Sequence, residues 1–218
     1  MESLKIFDEY MNPIEPYTAT IDRVHKEGLW HPTFACWVVR KDPVRPVVLL
    51  QLRGPKNKID PNTFDISSAG HLSADEEPAD GLRELKEELG IVKMAGDAVY
   101  LGVRRNFSGF SGYINREFCH TFMVETGLTL DELKPEPGEV NGIFELSVED
   151  GIKLFSNQVE SVEISGIAVI DGQLVKQARA VKKSDFCCYR DRCEISRYYL
   201  GIMIMAERYN QDNTSISV

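Results

Sequence analysis

Ser68-Ala69-Gly70-His71-Leu72-Ser73-Ala74-Asp75-Glu76-Glu77-Pro78-Ala79-Asp80-Gly81-Leu82-Arg83-Glu84-Leu85-Lys86-Glu87-Glu88-Leu89-Gly90-Ile91 is the stretch whose reading decides the fold. Its second half predicts a helix. Pro78 suits a first helical turn, where a missing N–H is harmless. Acidic residues crowd that start, as the helix dipole favours. Gly90 suits the left-handed cap at the other end. With side chains placed at about 100° per residue, Leu82, Leu85 and Leu89 share one arc and face a core. Glu84, Glu87 and Glu88 share roughly the opposite arc, and Arg83 stands four residues before Glu87, within reach of a charge pair. Like charges at helical spacing repel by about a few tenths of a kcal/mol per pair. A hard divalent cation relieves that repulsion, and magnesium binds through one or two carboxylates plus substrate phosphates. An isolated E-x-x-E-E would more simply be a solvated acidic face.

The wider pattern changes the weighing. Gly70, an acid at 75 or 76, Arg83-Glu84-Leu85, Glu87-Glu88 and Gly90-Ile91 resemble the Nudix box, G-x5-E-x7-R-E-U-x-E-E-x-G-U with U apolar. The second half matches in full. Gly70 to Glu76 keeps the first spacing, but six residues, not seven, separate Glu76 from Arg83, so Asp75 competes as the first acid. The resemblance spans roughly residues 19–157. It implies an α+β fold, an α/β/α sandwich around a curved mixed sheet, and magnesium, with manganese as an alternative, held by Glu84, Glu87 and Glu88. Gly70, Glu76, Arg83 and Gly90 would support the box. Glu87 and a glutamate outside it, Glu139 or Glu117 with Glu136 behind them, are candidates for catalysis. The activity implied is hydrolysis of a diphosphate linkage in a nucleoside diphosphate derivative.

Ile21 to His31 resembles the lead-in of the branch holding the isopentenyl-diphosphate isomerases. Histidines matching His25, His31 and His71 help bind a second metal there, and Glu117 matches one glutamate of an E-x-E pair whose other member is Asn115 here. Ala69 stands where that branch has its catalytic cysteine, so the acid–base pair needed to move a double bond lacks one member. His31, His71 and Arg53 remain weak candidates for substrate contact. A nucleotide-sensing module is the non-enzyme alternative.

The composition fits this frame. The chain has 218 residues, 43% hydrophobic and 27% charged, with formal net charge −9. That charge disfavours broad nucleic-acid binding. No apolar run reaches the ~18–20 residues of a membrane helix, and residues 1–20 lack the order of a signal peptide. The five cysteines show no framework spacing; Cys36 and Cys119 read as buried thiols, and Cys187, Cys188 and Cys193 lack zinc-site spacing. These features suit a reducing cytoplasm.

Three segments are expected: a lead-in at 1–30, the domain proper at 31–157, and an extension at 158–218 packed on the domain or on a partner subunit. Within them we expect a short edge strand at 3–9, a helix from Thr18 to Lys26 and strands at 34–39, 47–53, 64–69, 98–104, 117–125 and 140–146. Phe107 to Tyr113 is expected to be a mobile loop. Ser147 should cap a helix at 148–155, and Asp171-Gly172 marks a hairpin. Ile195, Tyr198, Tyr199, Ile202 and Met205 recur at helical spacing. That apolar helix would suit a homodimer, and the last eight residues should fray.

Overall fold

The computed structural model describes residues 3–57, 59–110, 112–187 and 195–217. Their elements in order are β1 (Ser3–Phe7), β2 (Pro13–Thr20), α1 (Ile21–Glu27), β3 (Trp30–Arg40), β4 (Val47–Arg53), β5 (Phe64–Asp65), β6 (Ser68–His71), a 3₁₀ turn (Pro78–Leu82), α2 (Arg83–Leu89), β7 (Ala98–Phe110), β8 (Tyr113–Glu125), β9 (Val140–Ser147), α3 (Val148–Phe155), β10 (Val162–Ile170), β11 (Gln173–Val181) and α4 (Ile195–Asn210). The strands form one mixed sheet in the order β11-β10-β9-β4-β3-β1-β2, with β5 on β4, β6 and β8 on β3, and β7 on β8. β3 is the spine. It runs parallel to β8 and antiparallel to its other partners, and its residues 31–39 are all buried. Burial on both faces explains why it reads as a continuous apolar run rather than an alternating one.

The two faces carry separate cores. Phe34, Cys36 and Val38 of β3 meet Leu82, Leu85 and Leu89 of the box. Ala35, Trp37 and Val39 point the other way, into a core shared with Leu154 and Phe155 of α3 and Tyr199, Ile202 and Met203 of α4. The α/β/α sandwich follows from this alternation. Ser147 caps α3, its hydroxyl accepting from the Asp150 backbone N–H at 3.1 Å. Asp171 and Gly172 both take positive φ, 49° and 75°, as the two-residue turn between β10 and β11 requires. β10 pairs with β9 and α4 packs on α3, so residues 162–181 and 195–210 extend the same sheet and core.

Several local expectations are corrected. β1 is no edge strand: it lies between β3 and β2. Residues 18–20 end β2, because Thr18, Ala19 and Thr20 are taken into its ladder with β1, and α1 begins only at Ile21. The box helix opens as a 3₁₀ turn before becoming α-helical at Arg83. Residues 107–113 are no loose loop. Ser108, Gly109 and Phe110 pair with Asn115, Ile114 and Tyr113, so β7 and β8 form one long hairpin. The ladder tolerates glycine where a side chain would crowd: a Cβ on Gly109 would stand 2.9 Å from the Tyr113 carbonyl oxygen. The tail is partly anchored, with Ile216 buried against the α4 core. Among the described residues no helix is long and apolar enough to cross a membrane, and Cys36 and Cys119 are free thiols. Cys188 and Cys193 lie outside the described residues.

Candidate active site

The site begins where the sheet splits. β3 pairs with β4 only at Val39 and Arg40, while its residues 33–36 pair with β6. β4 therefore diverges from β6. Ser67 bridges the gap, its hydroxyl accepting from the Val38 N–H at 2.9 Å and donating to the Leu49 carbonyl at 2.5 Å. Glu88 of α2 lies across the same gap. One carboxylate oxygen accepts from Gln51 Nε2 on β4, and the other from the Ala69 backbone N–H on β6, both at 3.2 Å. Glu88 is only 7% exposed. Burial pushes its carboxyl up to about 7, against the hydrogen bonds from Gln51 and the Ala69 backbone. Glu84 is raised too, first by burial, with the pull of Arg83 opposing.

Gly70 and Gly90 have physical reasons. A Cβ on Gly70 would lie 2.1 Å from Glu84 Oε1, so only glycine lets β6 pass this close to the carboxylate. Gly90 takes φ 73° at the helix end, and the Ile91 N–H returns to the Leu85 carbonyl at 3.0 Å. Arg83 is the organiser. It donates to Glu76 at 2.5 and 3.2 Å, to Glu84 at 2.6 Å, to Glu87 at 3.2 Å and to the His71 carbonyl at 3.1 Å. Glu76, not the exposed Asp75, is thus the first acid that meets the box arginine.

The three box glutamates do not converge on one point. Glu87 turns to Arg83 and stays 58% exposed at its side chain, while Glu88 is buried. Among the described residues, the group of acidic, histidine or cysteine side chains close enough to share one ion is instead His25, His31 and His71, whose ligand atoms lie within 4.8 Å of one another. α1, β3 and β6 each bring one of them. His31 Nδ1 donates to the Leu29 carbonyl at 3.0 Å, so its buried Nε2, without a hydrogen-bond partner, presents a lone pair. His25 and His71 set their Nε2 atoms 3.2 Å apart, and Tyr113 stacks on His25 at 4.3 Å. Burial lowers the pKa of His31 and His71, keeping them neutral as ligands must be. Glu117 pairs with His31 on the β3–β8 ladder. Burial would raise its pKa, but His31 and hydrogen bonds from Asn115 and Asn106 prevail and hold it below the usual carboxylate range.

A cavity of about 760 Å³ takes Gly70 from the box stretch and His25 and His71 from the imidazole group into its wall, with Arg53, Lys56, Glu117 and Glu139; the box glutamates themselves are not among its lining residues. Glu139 is exposed and close enough to Glu84 to raise its pKa. Arg53 also donates to Asp65 Oδ2 at 2.7 Å and to the Ile59 carbonyl at 3.1 Å. Gln51 and Asn106 escaped the sequence reading as functional residues. Their only signal was a polar side chain in an otherwise apolar or long strand.

A family model for the NUDIX domain matches residues 29–163. The chain belongs to the Nudix family. It is 33% identical over 186 residues to an uncharacterised Nudix hydrolase of Clostridium acetobutylicum, covering 85% of this chain and 89% of that one. It is 35% identical over 105 residues to Nudix hydrolase 3 of Arabidopsis thaliana, covering 46% of this chain and 13% of that much longer one. A crystal structure from Deinococcus radiodurans superposes with TM-score 0.54 at 16% identity, covering 90% of this chain and 98% of that one, a likeness of fold. The Nudix chain described here is a hydrolase by this kinship.

Proposed function

We propose that this Nudix hydrolase cleaves a diphosphate linkage in a nucleoside diphosphate derivative by attack of water, with magnesium or manganese as cofactor. The observation that carries the reading is Glu88, a buried carboxylate set across the strand split with its pKa pushed up to about 7. A cation beside it would offset the burial that disfavours its charge. Glu84 and Glu88 are the residues that would hold magnesium, with substrate phosphates completing its shell, and Glu87 would join if released by Arg83. Bound there, the ion polarises phosphoryl oxygen and makes water nucleophilic at neutral pH.

The chain's own groups do the rest. Arg83 fixes Glu84 and, through Glu76, the loop before the helix. Arg53 and Lys56 bring positive charge to the cavity wall for the phosphates. Glu139 and Glu117 stand on the same wall as candidates to accept the proton of the attacking water. The histidine trio offers a second cation site, three imidazoles being a donor set for zinc, manganese or iron, with the charge of Glu117 nearby. That trio is also what favours the second reading, a homologue of isopentenyl-diphosphate isomerase. Ala69 supplies no thiol, and burial pushes Cys119 on the cavity wall up to about 11, so it ionises poorly.

The test is a screen of nucleoside diphosphate derivatives with magnesium and manganese, reading phosphate release. Turnover lost in Glu88→Gln and Glu87→Gln supports hydrolysis at the box. Equal turnover in both variants and wild type refutes it. Deuterium uptake into isopentenyl diphosphate without phosphate release supports the isomerase reading. Tight nucleotide binding with no turnover in any metal would favour a sensor.

A further inference from the structure

The cavity continues from the imidazole cluster. Across the sheet, His71 on β6 lies opposite Thr33 on β3, Thr33 opposite Cys119 on β8, and Cys119 opposite Arg104 on β7. Side chains paired this way share one face. The row spans three strand spacings, about 14 Å of sheet, from the histidine cluster to Arg104.

Arg104 is an anomaly at the end of this row. It lines the cavity, and its guanidinium lies over the Tyr198 ring of α4, 3.9 Å from the centroid. Its Nε is sealed from solvent with no hydrogen-bond partner; Tyr198, Cys119 and Glu117 favour its charge against burial, yet no described carboxylate stands in ion-pair contact with it. Tyr198 is itself fixed, its hydroxyl accepting from Trp37 Nε1 at 3.0 Å. Stacking on an aromatic face offsets only part of the loss of water around a guanidinium, and it leaves the N–H fork unused. Two more polar atoms on the same wall share this condition. Thr33, 5% exposed, and Asn115, 6% exposed, each bury a side-chain oxygen that lacks a hydrogen-bond partner. Buried polar groups are normally satisfied, so the orphans of Arg104 and Thr33, both opposite Cys119 on one face, mark a place shaped for a ligand, while Asn115 lies four residues further along β8.

We infer that the end of the cavity built from Arg104 on Tyr198, with Thr33 two strands away on the same face, is a receptor for a second oxyanion, a phosphate or carboxylate at the far end of the substrate from its scissile diphosphate. This rests on the proposed hydrolase reading for the word substrate, but not for the binding itself. The guanidinium fork matches an oxyanion with two parallel hydrogen bonds. Thr33 can add a third donor. The inference also gives α4 a role: Tyr198 positions the arginine, so the C-terminal region sets which diphosphates fit.

The experiment uses the full chain freed of metal, so that no turnover is needed. Inorganic phosphate and malonate are titrated calorimetrically into wild type, Arg104→Met and Arg104→Lys, and Tm is recorded without ligand. The expected result is that at least one probe binds wild type and binds Arg104→Met roughly ten- to a hundredfold more weakly, with partial recovery in Arg104→Lys. Which probe binds tells phosphate from carboxylate. Ligand-free Arg104→Met should keep its Tm, because no ion-pair contact or hydrogen bond of the guanidinium is lost. Equal binding by wild type and Arg104→Met, or binding of neither probe, overturns the inference. So does a fall in the ligand-free Tm of Arg104→Met, which would make the guanidinium structural. A hydrolase that fails to turn over leaves this titration readable.

Discussion

Gly70 of the box and His25 and His71 of the histidine cluster line one cavity, but the two groups are built in opposite ways. The box draws Gly70, Glu76, Arg83, Glu84 and Glu88 from one continuous stretch, and a single arginine ties them together. The cluster draws His25, His31, His71 and Glu117 from α1, β3, β6 and β8, elements that meet only when the sheet forms. The box keeps its acids under tension, Glu88 with a raised pKa. The cluster is settled, with Glu117 held charged beside neutral imidazoles. In the first arrangement burial disfavours the charge on Glu88; in the second the three imidazoles already hold their ligand atoms within 4.8 Å of one another.

If that contrast is right, substitutions in the two regions should separate. The largest effect is expected from Glu88→Gln: diphosphate hydrolysis falls by more than about a hundredfold while the fold is kept, read by turnover and circular dichroism. Gly70→Ala should follow, since its Cβ would displace the Glu84 carboxylate. We expect turnover to fall by about tenfold or more, with affinity for magnesium falling alongside, measured by metal titration of initial rates. His31→Ala should lower manganese or zinc binding sharply by calorimetry yet reduce hydrolysis less than Glu88→Gln does. Similar losses of activity in both would break the comparison and make the two clusters one catalytic centre.

The smallest effect concerns pH. Burial pushes the Glu88 carboxyl up to about 7 in the folded chain, well above the ordinary range of a glutamate in water. The folded state then holds this proton more tightly than the unfolded chain, so stability falls as pH rises through that window. The penalty is absent below the unfolded value and complete above about 7, on the order of 3 kcal/mol. His31 and His71 work in the opposite sense, because buried neutral imidazoles must charge as pH falls. The difference between metal-free wild type and Glu88→Gln isolates the glutamate. Tm of the variant relative to wild type should rise from pH 5 to pH 8, and saturating magnesium should shrink that rise.

What was legible in the sequence follows the same division. The box could be read because its spacing, caps and leucine arc are local, and the sandwich followed with it. The sheet's outline was legible where strands are apolar on both faces, as in β3. The hairpin at 107–113 was not, because small residues between aromatics suggest a loop, and only the ladder between β7 and β8 shows why they are small. The convergence of Glu84, Glu87 and Glu88 was overstated for a different reason. A helical wheel places side chains on an arc but does not say that Arg83 draws Glu87 away while Gln51 and Ala69 hold Glu88 down. Nor could spacing reveal Arg104, whose meaning comes from its place in a row of four strands and from the tyrosine of a distant helix.

The most direct test of the central claim is single-turnover cleavage of a diphosphate substrate in heavy-oxygen water, with magnesium, in wild type and Glu88→Gln. The account expects one labelled oxygen in a phosphate product from wild type and no comparable product from the variant. Unlabelled product, or the same labelled yield from Glu88→Gln, would contradict it.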